Sequence, residues 1–220
     1  MPNLSVLGSS LVILILIAFM LWFALGTQHN IRKGNSILTW LQGGLPQLGR
    51  RTALRWLGSS AVRLNIVDPR APFREAELVV VLEPRDVGFL WAWARSRNRR
   101  DFIILRGELK RSPAYEVEAG NPAGWTGGDR LRKLDAEAAW ERTAWEDRNA
   151  GVAYSPGADV EAVRRNWEDL EQASGGVWRL SVRQASPHLE VHVLLPDRER
   201  VGADVLLQAF RSLAATVTTR

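Results

Sequence analysis

Residues 177–195 read VWRLSVRQASPHLEVHVLL. Trp178, Leu180 and Val182 alternate with Arg179, Ser181 and Arg183. After Ser186-Pro187 the alternation resumes with Leu189, Val191, Val193 and Leu195. Period two on both sides of a tight connection predicts an antiparallel hairpin with one buried face. An amphipathic helix precedes the pair, with Asp159 as its cap, Val160, Val163, Trp167 and Leu170 on its apolar face, and Ser174-Gly175-Gly176 at its end. A second helix follows over residues 203–217, with Leu206, Phe210 and Leu213 inward, and GVAYS (151–155) reads as a short strand. Hairpins covered by helices place the chain in the α+β class.

The same grammar appears upstream. Val62, Leu64 and Ile66 alternate with Arg63 and Asn65; LVVVLE (78–83) is an unbroken central strand; FIILRGEL (102–109) and AYEVEA (114–119) are further strands. Asp86 is placed to cap a short helix through VGFLWAWARSR. AVRLNI resembles VWRLSV, and VVVLEPRD resembles VHVLLPDR. The expectation is therefore antiparallel-sheet and helix two-layer sandwich subdomains, a ferredoxin-like arrangement among them, with an αββα duplication as one form of it. Leu38, Leu41, Leu45 and Leu48 at helical spacing predict two short helices, 36–42 and 46–57, closed by Gly58. The charged stretch 131–148, with Trp140 and Trp145, reads as a further helix. The domain reading is 1–28, an anchor; 29–119, a basic α+β subdomain; 120–150, a Gly-rich linker and charged helix; and 151–220, a βαββα subdomain.

The anchor assignment rests on Val6–Leu25, which contains no charged residue. At about 1.5 Å per residue such a run spans roughly 30 Å, the thickness of a bilayer's hydrocarbon core. Ala24-Leu25-Gly26 has the small–x–small form of an export cleavage site, so a cleaved signal is the rival. Residues 1–5 lack the positive charge of an export signal, whereas Arg32 and Lys33 follow the run. The positive-inside rule then places the N-terminus outside and residues 29–220 in the cytoplasm of the cell membrane. The absence of cysteine agrees with a reducing compartment.

Charge is uneven. Residues 29–118 carry 16 Lys and Arg against 9 Asp and Glu, and residues 119–220 carry 13 against 15. The basic half contains Trp91, Trp93, Arg95, Arg97, Arg99 and Arg100, the combination that suits anionic lipid headgroups and an aromatic interface; phosphates of a nucleic acid are a weaker match. In HLEVH, the residues His188, Glu190 and His192 share one face of a strand and are metal-ligand types. Alternation already explains them as the wet face of the hairpin, and no fourth ligand is identifiable. There is no cysteine nucleophile, no G-x-S-x-G and no phosphate-binding glycine loop. The residues thus imply no cofactor and point to a non-enzymatic scaffold or interaction module at the membrane surface, with membrane lipid and membrane-associated proteins as partners. A metal-dependent enzyme or hydrolase built on HLEVH and an exported domain are the alternatives.

Overall fold

The computed structural model describes residues 4–128, 131 and 140–218. Helix α1 (Leu4–Gln42) leads through a 3₁₀ turn (Leu45–Gln47) into β1 (Gly49–Trp56), β2 (Ala61–Pro69) and β3 (Phe73–Val81). Helix α2 (Gly88–Ser96) precedes β4 (Phe102–Leu109) and β5 (Val117–Gly120). Strands β6 (Glu141–Trp145) and β7 (Ala150–Tyr154), helix α3 (Val160–Gln172), the hairpin β8 (Val177–Val182) and β9 (Leu189–Leu194), and helix α4 (Ala203–Thr218) complete the described chain. The fold is α+β, as the alternation implies.

All nine strands pair antiparallel in one sheet, ordered β1-β2-β3-β4-β9-β8-β5-β7-β6. The two stretches expected as separate sandwiches meet where β4 pairs β9, Leu105 opposite Val191. One face carries Val62, Leu64, Leu78, Val80, Ile103, Leu105, Val191, Leu180 and Val117, all buried, and the end of α1, α3 and α4 pack over it. Phe73 stacks on Phe210 of α4 at 5.3 Å, and Trp167 of α3 meets Trp145 edge-on at 5.7 Å. Asp159 caps α3, its carboxylate accepting from the Ala162 amide at 2.9 Å.

Four local expectations are corrected. Residues 36–42 are the last turns of α1, which runs unbroken for 39 residues. Residues 49–56 are a strand: Leu54 and Trp56 lie opposite Leu64 and Val62, and the pairing satisfies the free edge of β2, a tertiary gain that outweighs helical spacing. Within 131–148, residues 132–139 lie outside the described ones, and 141–145 form edge strand β6, turning back into β7 through Asn149 in the left-handed conformation (φ 47°). Asp86 does not cap α2; its carboxylate accepts from Ser59 at 2.6 Å, and Val87 occupies the cap position.

Leu189, Val191 and Val193 are fully buried, as the alternation requires. A register shift between Val177 and Arg179 places Val177 in the core and Trp178 against Phe102, 5.2 Å away, instead. Val191→Asp puts a charge into the middle of the core and is expected to abolish the cooperative unfolding transition. Arg51→Gln removes only the exposed pair with Asp68 and should stay within about 0.5 kcal/mol of the parent. Denaturant titration followed by circular dichroism distinguishes the two; a folded Val191→Asp variant would contradict the assignment of the buried face.

Candidate functional site

With α3, α4 and the end of α1 on one side, the other face of the sheet carries a polar cross-strand row. Asn65, Glu77, Arg106, Glu190, Ser181 and Glu118 stand opposite one another from β2 to β5. Charges alternate along it. Arg106 reaches Glu77 at 3.3 Å and Glu190 at 2.7 Å; Arg179 reaches Glu190 at 2.6 Å and Glu118 at 2.5 Å; Arg183 reaches Glu118 at 2.9 Å. Ser181 donates to Glu118 at 2.8 Å. An open groove of about 610 Å³ runs beside Glu77, Arg106, Ser186 and Glu190.

The HLEVH side chains are therefore not a wet face. His188 and His192 are both buried: the segment 121–128 folds over His192, with Thr126 at 2.8 Å from its Nδ1 and Gly124 and Gly127 packed closely on Trp178, whereas His188 sits against Leu109 and Ser112. His192 Nε2 lies 3.0 Å from Glu190. His188 accepts from the Leu109 amide through Nδ1 at 2.9 Å, and its Nε2 lies 3.1 Å from Ser112. Burial, with Arg74 nearby, lowers the His188 pKa, so the neutral ring ties the end of β4 to the start of β9. No group of three or more His, Cys, Asp or Glu among the described residues could hold a metal ion. Burial alone would push the Glu190 pKa up. Hydrogen bonding and charge from His192, then Arg106, outweigh it and hold the group at about 2. Glu190 is a fixed carboxylate, unsuited to delivering or collecting protons near neutrality.

A second polar cluster lies where α1 meets the sheet. Asp101 is buried at 7% exposure, yet it accepts from Lys33 at 2.5 Å, from Arg85 at 2.9 and 3.0 Å, and from the Glu83 amide at 2.6 Å. Burial opposes its ionisation; Arg85 and Lys33 overcome that and lower its pKa. Buried Asn30 donates to the Glu83 carbonyl at 3.0 Å and accepts from Arg85 at 3.2 Å. Glu83 accepts from the Trp91 indole at 2.6 Å. Trp22 donates to the Arg85 carbonyl at 3.0 Å, its ring 6.4 Å from Trp91. A side chain at Gly26 would collide with the Arg85 backbone, and one at Gly34 with Trp56, so α1 is seated in close contact.

The structure divides the six residues picked from 91–100. Trp91 turns inward to Glu83 and Trp22. Trp93 is exposed beside Phe89 and Leu90, making an apolar surface on α2. Arg95 lies over Trp91, Arg97 over Trp93 and Arg99 over Trp125, at 5.7–5.8 Å from the ring centres. Arg99 and Arg100 are half-buried, and burial lowers the Arg99 pKa. Sequence reasoning missed Asn30, Lys33, Glu83, Arg85 and Asp101 as a group. Arg85 and Asp101 flank α2 in the chain, which was the only local signal. No family model matches the chain, and no curated protein matches it.

The row across the sheet makes a pH prediction. Glu190 falls from the ordinary Glu value of 4.5 to about 2 on folding. A depressed carboxylate stabilises the fold above its unfolded pKa, and that contribution disappears as pH falls from about 4.5 to about 2. Glu190→Gln should cost about 1–3 kcal/mol near pH 6, because Arg106 and Arg179 lose an ionic partner. The gap to the parent should close between pH 4.5 and 2.5 in denaturant titrations. A constant gap would show that Glu190 is not held ionised.

Proposed function

We propose that the chain is a single-pass membrane protein whose α+β region works at the membrane surface as a non-enzymatic scaffold or interaction module. One observation carries the reading. Helix α1 has an uncharged stretch with exposed apolar side chains, long and apolar enough to cross a bilayer (mean hydropathy 2.5), and continues without a break into the core through Ile37 and Leu41.

Depth supports a second contact with lipid. If Val6–Leu25 fills the hydrocarbon layer, Trp22 lies within a turn of its edge. Gly88, at the start of α2, packs on Trp22. That brings Phe89, 70% exposed, with Leu90 and Trp93, to the boundary, and Arg95, Arg97, Arg99 and Arg100 to the adjoining headgroup layer. Anionic headgroups and membrane-associated proteins are the partners this surface suits. Arg32 and Lys33 just beyond the span support a cytoplasmic location for residues 29–220. Signal cleavage after Gly26 would cut an unbroken helix and discard the Trp22 and Gly26 contacts with Arg85, so the packing favours an uncut anchor.

The reading built on HLEVH has one observation behind it, the groove beside Glu190. With Arg106 and Arg179 bonded to its two oxygens, the carboxylate supports binding there better than acid–base catalysis.

The topology is tested with a reporter active only in the cytoplasm, fused after Arg220, together with N-terminal sequencing of the membrane fraction. An active reporter on a chain that retains residues 1–26 is the expected result. A mature chain beginning at Thr27 would overturn the anchor.

A further inference from the structure

We infer that the junction between α1 and α2 is a binding site for one anionic phospholipid, with a tail in an apolar crevice and the phosphate in a basic cleft behind it. The inference rests on the reading of α1 as a membrane anchor and adds a ligand to it.

Two cavities meet at Arg85. The first, about 370 Å³, is a crevice between α1 and the start of α2, lined by Trp22, Leu25, Gly26, His29, Arg85 and Trp91. Its lining is almost wholly apolar. Leu25 is 65% exposed there among the described residues. The second, about 360 Å³, is a cleft whose charged lining is Lys33, Glu83, Arg85, Arg95, Arg100 and Asp101. Gly26 makes the crevice possible, because α1 approaches the Arg85 backbone more closely than any side chain would allow.

Charge identifies the head of the ligand. The cleft holds four cations and two carboxylates. Arg85 and Lys33 are committed to Asp101, and Arg85 also reaches Glu83. Arg95 touches Glu83 only at 3.4 Å and is 52% exposed. Arg100 bonds the Arg95 and Arg99 carbonyls and has no carboxylate partner among the described residues. The excess is two positive charges, and both lie on guanidiniums, whose forked donors match phosphate oxygens. Depth identifies the tail. From Leu25 to Lys33 is eight residues along α1, or about 12 Å, which leads from the hydrocarbon edge through the headgroup layer. A lipid standing beside α1 would meet the apolar crevice where its tails join the head, since Trp22 and His29 lie about 4.5 Å inside and about 6 Å outside Leu25, and the basic cleft on the water side of that boundary. A free phosphate would use the cleft alone.

The test uses the full chain in mild detergent, mixed with phosphatidylglycerol, phosphatidylcholine or inorganic phosphate, and counts bound lipid by native mass spectrometry. One phosphatidylglycerol per chain is expected, held at least about tenfold more tightly than phosphatidylcholine and not displaced by phosphate. The double variant Arg95→Gln/Arg100→Gln should lose about tenfold or more of that affinity, as two lost charge-assisted contacts imply. Leu25→Trp fills the crevice from an exposed position and should lower it comparably, with circular dichroism unchanged in both variants. Equal retention of the two lipids, unaltered binding in either variant, or displacement by phosphate alone would overturn the site. Membrane fractionation of the same variants keeps the two readings apart. A chain that leaves the membrane fraction removes the anchor and the site together, whereas an anchored chain without lipid preference removes only the site.

Discussion

Asp101 is the point on which the junction between α1 and the sheet depends. A buried carboxylate is expensive unless several donors replace its water. Here they come from three places in the chain, Lys33 on α1, Arg85 before α2 and the Glu83 backbone after β3, and they converge on Asp101 just before β4. All must be in position together, so the cluster fixes the angle at which α1 meets the sheet. Asn30 extends the same lock, bridging Glu83 and Arg85 one turn earlier on the helix. Glycines at 26 and 34 let α1 sit close enough for those short polar reaches. The apolar end of α1 is thereby held in a set direction relative to α2, whose Gly88 and Trp91 pack against Trp22.

The sheet solves a different problem. Nine strands with α3, α4 and the end of α1 on one face leave a broad second face that cannot be apolar without inviting association. Its charged row answers with Arg and Glu, in which Glu77, Arg106, Glu190 and Arg179 each meet opposite charges on both neighbouring strands. Such a row pins register, because a slip of one residue would bring Leu78, Leu105 and Val191 into the positions now holding charges. It also explains why Glu190 and the two histidines, which look like ligands when read in the chain, are structural: the cross-strand partners that occupy them come from positions up to 84 residues away. The outer edges β1 and β6 end the sheet with exposed Arg51, Arg55, Glu141 and Arg142, charges that discourage further pairing.

The sequence by itself determined the α+β class, the apolar run in α1, the 177–195 hairpin, the buried triplet Leu189, Val191 and Val193, and the capped helix after Asp159. Each is a periodic or capping signal confined to fewer than about twenty residues, and local backbone geometry is enough to express it. Tertiary structure decided whatever depended on a distant partner. Residues 49–56 became a strand because β2 needed an edge; 141–145 paired with β7; Trp178 crossed to the outer face through a bulge; and the histidines of HLEVH were covered, His192 by residues 121–128 and His188 by Leu109 and Ser112. Most of the candidate site belongs to this second group. Asn30, Lys33, Glu83, Arg85 and Asp101 are spread over 72 positions, and in the chain each is an ordinary polar residue. Only folding removes their water together, and that shared desolvation makes them one site.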